Sequence, residues 1–366
     1  MDSQVNLVFD VFEKMISGEL ESSPDIYEIL QEEENIGTLR NIISNLDFIH
    51  YLVDDPDLKE QKLQERLEVV IDINTRPVIY ICNNTFQLDN LAIGKEIPSS
   101  IKSALEKAKT ENILEKAIKA TCKINYREPG HNWEHIGTGW LIAENIIVTN
   151  SHVASFFATG DDRKPSFKSG LEVLVDFIAE YNQEDDEDNP KKAKFKVESV
   201  IYAHEVKTHY LKPRYPDIAF LQVSDKSVNP GISLPEPISL LENLIREDPY
   251  IVVIGYPAAP ATSDTEEMRK QGFIEPLEKV KYGRKVLQPG RIITSESSCY
   301  SDDKICHDCT TFGGNSGSIL IDLKTGKAVG LHFGGNRYEV RKESRANFAV
   351  PVQKIQKVAK EIGLDI

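Results

Sequence analysis

The residues of this chain with the clearest capacity for chemistry are a serine, a histidine and an aspartate, each beside a strand-like segment. Ser316 lies in the turn "FGGNSGSILID", between glycines and just before an apolar run. A serine hydroxyl is a weak nucleophile at neutral pH, so it needs an imidazole as base and a third group that orients the imidazole. Glycine at 314 lets the backbone bend so that the N–H groups of Gly314 and Ser316 face one pocket, as an oxyanion hole requires.

The candidate base and its orienting acid lie upstream of the serine. His152 follows "GTGWLIAENIIVTN", which predicts two strands joined by a turn and so puts the imidazole at a strand end. Asp217 precedes "IAFLQV", a strand too apolar for a surface edge, and we expect its carboxylate to be semi-buried. Taken alone, Asp217 also fits a turn or cap residue, and GNSG also fits an ordinary β-turn. Together the three residues predict a catalytic triad.

The chain order of these residues separates the classes of serine hydrolase. The α/β-hydrolases need G-x-S-x-G, but position 318 is Ser, and they need an acid and a histidine after the nucleophile. His332 is the one histidine downstream of Ser316. The order His, Asp, Ser is instead that of the chymotrypsin type.

Composition and charge exclude several other classes. A formal net charge of −15 over 366 residues argues against a phosphate-binding surface, so we expect no nucleic-acid partner. The start "MDSQVNLVFDVFEK" does not resemble a signal peptide, and the chain has no apolar run of about 18 residues that would insert in a membrane. Five cysteines in a chain of this length do not form a disulfide-framework pattern. We therefore expect a cytoplasmic protein.

The hydrophobic pattern divides the chain into three parts. Residues 1–72 carry apolar residues at helical spacing, as in "QVNLVFDVFEKMI", and predict a small helical bundle that acts as a stabilising appendage or as an adaptor and regulatory domain. Residues 73–118 predict a connector made of a strand, a turn and a helix. Residues 119–366 show short β-branched runs between Gly, Pro, Asn and Asp turns, which predict an all-β barrel or sandwich.

The sequence "CHDC", Cys306 to Cys309, requires a separate comparison with metal and redox motifs. A CxxC pair can supply half of a zinc site or a redox pair, but no second CxxC and no spaced histidine pair accompany it. We therefore expect ordinary loop cysteines, with an oxidisable pair as the alternative, and neither a metal nor a cofactor.

Residues from about 121 to 360 resemble the trypsin-like, chymotrypsin-fold bacterial serine peptidases, and within them the glutamyl-endopeptidase-like branch. The resemblance rests on "GTGWLIAENIIVTNSHVA", "YPDIAFLQV", "VVIGYPA", "HDCTTFGGNSGSILID" and "AVGLHFGG". The segments "RPVIYICNNTF" and "KVLQPGRI" resemble intracellular members with an N-terminal effector-associated helical region. Unlike secreted members, the chain has about 120 residues before its first barrel and no "IVGG"-type cleavage site.

This resemblance implies a fold and a set of site residues. The fold class would combine an N-terminal helical bundle with two six-stranded β-barrels of chymotrypsin type. His152 would act as base and then acid, Asp217 would orient it, and Ser316 would be acylated while Gly314 and Ser316 form the oxyanion hole. Thr310 stands where trypsin has an aspartate, and Thr311 and His332 match positions that recognise a glutamate side chain. The substrate-binding residues would be Thr310, Thr311, His332, Phe333 and Gly334.

The expected function is therefore that of an intracellular serine endopeptidase that hydrolyses a partner protein. The N-terminal region would regulate it or bind an activator, and the resemblance implies a role as effector in bacterial, including antiviral, defence. The alternative is a catalytically silent peptidase fold that serves as an interaction scaffold.

Overall fold

The computed structural model describes residues 75–94, 96–181, 193–204, 216–242, 250–259, 280–293, 300–301, 304–335 and 346–366. All of these residues belong to one compact unit. The helical bundle predicted for residues 1–72 lies outside the described residues.

The described residues form seventeen strands joined by turns and short helices. In chain order the strands are β1 (Val78–Cys82), β2 (Thr85–Ile93), β3 (Thr121–Arg127), β4 (Glu134–Ala143), β5 (Ile146–Thr149), β6 (Ala158–Asp161), β7 (Lys164–Phe167), β8 (Glu172–Asp176), β9 (Lys194–Ala203), β10 (Ala219–Ser227), β11 (Tyr250–Gly255), β12 (Val286–Arg291), β13 (Tyr300–Ser301), β14 (Lys304–His307), β15 (Ile319–Asp322), β16 (Ala328–Gly335) and β17 (Asn347–Pro351). The helices in the same part of the chain are α1 (Ser99–Thr110), α2 (Glu115–Ala120), α3 (Ser151–Ala154) and α4 (Val352–Glu361).

The first barrel is closed and has six strands in the order β10-β5-β4-β3-β8-β9. Its strands alternate side chains between the interior and the outer face, and Ile124, Leu141, Ile147, Phe195 and Leu221 belong to one buried cluster. The turn between β4 and β5 is tight because Asn145 adopts a positive φ of 51°, which asparagine tolerates better than most residues. The prediction of an all-β barrel is confirmed.

The second sheet has nine strands in the order β13-β14-β17-β16-β15-β11-β12-β1-β2, and six of them form the expected second barrel. Six of its strands, from β12 through β11, β15, β16 and β17 to β14, curl until the end of β12 meets β14. The two are joined by an Ile292–His307 bridge and by the N–H of Ile293, which donates to Cys306 at 2.9 Å. The β1–β2 hairpin and the short β13 extend this sheet.

The β1–β2 hairpin belongs to the sheet, although residues 73–118 were expected only to connect two domains. β1 pairs with β12 through Ile79–Leu287 and Tyr80–Val286. The physical reason is that Val78, Ile79, Tyr80 and Ile81 are all at most 4% exposed, so both faces of β1 are apolar and must be covered.

Three helices, α1, α2 and α4, pack against the same apolar core as the hairpin. Ile101 and Leu105 of α1 lie in the cluster that contains Ile79, and so do Val352 and Ile355 of α4. No helix in the described ranges is long and apolar enough to cross a membrane.

Candidate active site

His152 is held by a one-turn helix that begins where β5 of the first barrel ends. β5 ends at Thr149, and Asn150 is the extended residue from which α3 starts. The buried side-chain amide of Asn150 donates to the backbone carbonyl of Asp217 at 2.9 Å. This bond ties the start of the histidine helix to the residue that leads into β10. Asn150 and Asp217 are 67 residues apart in the chain, so this bond joins two distant segments.

The carboxylate of Asp217 holds His152 at two points. Oδ2 lies 2.5 Å from Nδ1 of the ring, and Oδ1 accepts the backbone N–H of His152 at 3.0 Å. The Asp217 side chain is 10% exposed and that of His152 is 28% exposed. A carboxylate accepts but does not donate, so the ring proton belongs on Nδ1, and Nε2 is left as a base on the more open side.

Ser316 is brought to the same helix by its backbone. Its carbonyl oxygen accepts the N–H of Thr138 on β4 at 2.8 Å. A Cβ placed on Gly137 would lie 2.8 Å from Cγ2 of Val153 and 3.1 Å from the carbonyl oxygen of Ser316. Gly137 therefore lets the serine turn approach the residue that follows His152. The structure brings His152 and Asp217 into direct contact and Ser316 close to the helix that carries His152.

The turn around Gly314 is shaped by close backbone packing. Gly314 has a φ of +86°, and a Cβ there would lie 2.6 Å from the amide nitrogen of Ala258. Its carbonyl oxygen accepts the hydroxyl of Thr138 at 2.9 Å, and that hydroxyl in turn accepts the N–H of Tyr256 at 3.0 Å. Both barrels thus orient the Gly314 peptide, and only glycine fits the position.

The buried side chain of Asn315 stabilises this turn from within. Its Nδ2 donates to the carbonyl of Phe312 at 3.2 Å, and its Oδ1 accepts the hydroxyl of Ser318 at 3.2 Å. The backbone N–H of Asn315 also donates to Phe312, at 3.0 Å. Asn315, the residue before the serine, therefore stabilises the turn through its own side chain.

The predicted substrate-binding residues lie on the loop before Ser316 and on β16. Thr310 and Thr311 are fully buried, and neither hydroxyl has a hydrogen-bond partner among the described residues. His332 is also fully buried, and its backbone exchanges hydrogen bonds of 2.9 Å with Gly317 and Ser318.

The last two residues of the predicted set continue along β16 and differ in their surroundings. Phe333 is half-buried and packs on Phe348 with ring centroids 6.1 Å apart. Gly334 follows it, and the pairing of β16 with β17 is irregular between His332 and Gly334.

A second histidine, His307 on β14, lies behind His332 and was not among the predicted site residues. Its Nε2 is 3.2 Å from Nδ1 of His332. Burial, with a smaller contribution from His332, lowers the pKa of His307 well below its ordinary value. The sequence places the two histidines on separate strands, and only the register of β14, β17 and β16 brings them together.

Cys306 and Cys309 are not joined in a disulfide bond. Cys306 lies in β14 and not in a loop as expected, and both residues are at most 1% exposed. Burial raises the pKa of the Cys309 thiol well above its ordinary value, so it is a poor nucleophile. Within the described part of the chain no group of three or more His, Cys, Asp or Glu residues is arranged to hold a metal ion.

Residues 137–331, more than half of the chain, match the model of the trypsin-like peptidase domain. This chain belongs to the trypsin-like peptidase family. The match begins at Gly137 and ends at Leu331, so it includes the segments that carry His152, Asp217 and Ser316.

Two individual proteins are similar to this trypsin-like peptidase at low sequence identity. It is 28% identical over 221 residues to a "Probable serine protease" of Lysobacter enzymogenes, a match that covers 56% of this chain. The chain spans about half of that relative, since the match covers 54% of it. The active form of the Rv3671c protease from M. tuberculosis is 20% identical, with 69% of this chain and 87% of that chain covered and a TM-score of 0.39.

Proposed function

We propose that this trypsin-like peptidase is a serine endopeptidase whose catalytic triad is His152, Asp217 and Ser316. The observation that carries the proposal is the double contact of Asp217 with His152, at 2.5 Å to the ring and 3.0 Å to the backbone. Family membership supports proteolytic chemistry in general, and this contact supports the assignment of roles.

In the proposed mechanism the hydroxyl of Ser316 attacks the carbonyl carbon of the scissile peptide. Nε2 of His152 accepts the hydroxyl proton, and Asp217 stabilises the imidazolium that forms. The N–H groups of Gly314 and Ser316 bind the oxyanion of the tetrahedral intermediate, each donor contributing about 10²–10³ in rate. His152 then gives its proton to the leaving amine, and a water molecule activated by His152 hydrolyses the acyl-enzyme.

The proposed substrate has an acidic or small polar residue before the scissile bond. A trypsin-like preference for Arg or Lys requires a carboxylate in the pocket, and Thr310 is at that position instead. The hydroxyls of Thr310 and Thr311, buried without a partner among the described residues, and the imidazole of His332 are suited to donate to a carboxylate. This supports the glutamyl-endopeptidase-like assignment.

We also propose that residues 1–72 regulate the site, by binding an activator or a partner protein. The support is a contact at the start of the described chain, where Nη2 of Arg76 lies 2.5 Å from Oδ2 of Asp308. Asp308 lies two residues before Thr310. A cytoplasmic protein substrate and a role as effector in bacterial antiviral defence are part of the same proposal and rest on the family resemblance.

The experiment is labelling of the purified full-length protein with a fluorophosphonate probe, with Ser316→Ala as control. We expect the wild type to be labelled and Ser316→Ala not. A peptide library is then expected to show cleavage after Glu or Asp and not after Arg or Lys. If the folded wild type is neither labelled nor active on any peptide, the protein is a catalytically silent scaffold and not an enzyme.

The variant lacking residues 1–72 should be labelled at a different rate, and an equal rate would contradict regulation by that region.

A further inference from the structure

Two oppositely charged residues meet at the start of the loop that carries the predicted acid-binding threonines. Nη2 of Arg76 lies 2.5 Å from Oδ2 of Asp308, and the two side chains are 17% and 19% exposed. Thr310 and Thr311 follow Asp308 by two and three residues. Both threonine hydroxyls are buried, and neither has a hydrogen-bond partner in the described part of the chain. The ion pair therefore lies beside a loop whose hydroxyls are still available to a substrate.

The carboxylate of Asp308 is held against this loop by β12 as well as by Arg76. Its Oδ1 accepts the N–H of Arg291 at 2.6 Å, and its backbone N–H donates to the carbonyl of Arg291 at 3.0 Å. A Cβ on Gly290 would lie 2.6 Å from Oδ1 of Asp308 and 2.7 Å from Sγ of Cys309, so β12 and the loop are in close contact. The negative charge cannot turn away into solvent without breaking its bonds to Arg76 and to the N–H of Arg291.

The charges of Asp308 and Arg76 both act on the loop itself. Cys309, one residue before Thr310, is fully buried in an apolar cluster, where charges are screened less than in water. Burial raises the pKa of the Cys309 thiol, the charge of Asp308 raises it further, and the charge of Arg76 lowers it. The two charges thus influence the same part of the loop with opposite signs.

A site that selects a carboxylate is weakened by a second carboxylate close by. Like charges repel, and the repulsion is stronger where water is partly excluded. Asp308 alone would therefore oppose the binding of a glutamate side chain at Thr310 and Thr311, and Arg76 offsets this charge. The uncharged side chain of glutamine would be affected little by either residue.

We propose that Arg76 is a positioning residue for substrate selection, because it holds and neutralises Asp308 and so allows a substrate carboxylate to bind at Thr310 and Thr311. This inference rests on the proposed function and adds to it a residue outside the substrate-binding set. Arg76 acts on the substrate only through the charge of Asp308. Its expected effect is on the choice between an acidic side chain and its uncharged amide, and not on acylation itself.

The first test measures kcat/KM of the full-length protein for paired peptides that differ only in Glu or Gln before the scissile bond. We expect the Glu-over-Gln ratio to fall roughly 10-fold in Arg76→Gln, because Asp308 loses its cation and repels the substrate carboxylate. Arg76→Lys keeps the positive charge and should retain most of the ratio. Lys116→Gln removes a cation from the surface pair with Glu236 and is the control, which should leave the ratio unchanged.

Asp308→Asn distinguishes a role of the charge from a role of the contact in loop structure. Asparagine can still accept the N–H of Arg291 through its side-chain oxygen, but the negative charge is gone, so the Glu-over-Gln ratio should rise. The double variant Arg76→Gln with Asp308→Asn should return to a ratio close to that of the wild type. A fall of the ratio in all three variants would overturn the proposal, because loss of loop structure would then explain the effect.

Peptide binding separates this inference from the proposed function. The affinities of product peptides that end in Glu or in Gln, measured by fluorescence anisotropy, require no catalysis. If fluorophosphonate does not label the wild type, the serine endopeptidase fails and the ratio of these affinities still tests Arg76. If the wild type is labelled but does not distinguish Glu from Gln peptides, the endopeptidase stands and the role of Arg76 falls. If Arg76→Gln does not fold, Asp308→Asn carries the test, since only a rise of the ratio agrees with the proposal.

Discussion

The Asp217–His152 contact constrains more than the imidazole ring. One carboxylate oxygen accepts from the ring and the other accepts from the backbone N–H of the same residue. The Asn150 amide also binds the carbonyl of Asp217. The aspartate therefore fixes both the tautomer of the histidine and the position of its helix, so loss of its charge and loss of its acceptor geometry have separate effects.

Asp217→Asn tests the proposed charge of this residue with little change in shape. The amide should hold His152 in the wrong tautomer and fail to stabilise the imidazolium, so kcat should fall about 10⁴-fold. The measurement is the rate of fluorophosphonate labelling together with peptide turnover. Asp322→Asn is the matched control, since Oδ2 of Asp322 accepts the N–H of Thr325 at 2.9 Å in a turn that the proposed mechanism does not use. Wild-type labelling of Asp217→Asn would remove Asp217 from the triad.

At the scale of secondary structure, the β1–β2 hairpin is linked to the loop that precedes the serine. Asp308 accepts the N–H of Arg291 at 2.6 Å through Oδ1, while its Oδ2 receives the guanidinium of Arg76. The next residue, Cys309, has its carbonyl held by the buried amide of Asn347 at 2.7 Å. Asp308 therefore binds both the segment just before β1, through Arg76, and the end of β12, through Arg291.

Arg76→Gln should lower the free energy of unfolding by about 1.5–3 kcal/mol, because a hydrogen-bonded ion pair is lost where both side chains are less than 20% exposed. Urea unfolding followed by tryptophan fluorescence measures the loss. Lys116→Gln is the control: it removes a surface pair in which Lys116 is 44% and Glu236 is 83% exposed, and surface pairs contribute little. Equal losses of unfolding free energy for the two variants would show that the Arg76–Asp308 pair stabilises the fold no more than a surface pair does.

At the scale of the whole molecule, one buried lysine joins the parts of the fold. Nζ of Lys285 donates to the carbonyls of Ile118 and Phe177, both at 2.6 Å, and lies 3.9 Å from Oε1 of Glu180. Glu180 in turn accepts the backbone N–H of Asn84 at 3.0 Å, in the turn of the β1–β2 hairpin. Lys285 therefore links β12 to α2, to the segment that follows β8, and to the hairpin.

Lys285→Met should destabilise the fold by about 3–5 kcal/mol, because Glu180 is left buried without its cation and two carbonyls lose a donor. Urea unfolding of the variant against the wild type measures this loss. The double variant Lys285→Met with Glu180→Gln should recover part of it, since it removes the uncompensated charge. A single variant as stable as the wild type would contradict the prediction that Lys285 stabilises the fold.

The same variant has a predicted dependence on pH. Burial lowers the pKa of Lys285 from its ordinary value of 10.5 to about 8, with Glu180, Asp176 and Cys122 as its titratable neighbours. Between these values the unfolded chain binds more protons at Lys285 than the folded chain does, so the wild-type free energy of unfolding rises with pH. Between pH 7.5 and 9.5 the difference between wild type and Lys285→Met should widen by about 2 kcal/mol.

The parts of the fold that could be predicted from the sequence are those encoded by local patterns. The alternation around "GTGWLIAENIIVTN" predicts β4 and β5 and so the position of His152, and the apolar run after Asp217 predicts β10. The glycines around Ser316 predict a turn because few other residues fit its backbone. Each of these signals lies within about ten residues of the element it predicts.

The features that could not be predicted depend on pairing between distant segments. β1 is an apolar segment of five residues, and nothing local shows that its partner is β12. The contact of His307 with His332 likewise depends on three strands in register. The polar partners of Lys285 come from two distant segments of the chain, one at Ile118 and one at Phe177 and Glu180, so a lysine in "GRKVL" gives no sign that it is fully buried.

The pairing of β1 with β12 also has a consequence for the order in which the chain folds during synthesis. Ile79 leaves the ribosome roughly 200 residues before its partner Leu287. At about 5–20 residues per second, β1 waits on the order of 10–40 s with an apolar edge exposed. The loop before Ser316 is made later still, so the hairpin is completed in the sheet shortly before the nucleophile emerges. A nascent chain interrupted before β12 would thus combine an unpaired, aggregation-prone strand with no capacity to cut its neighbours.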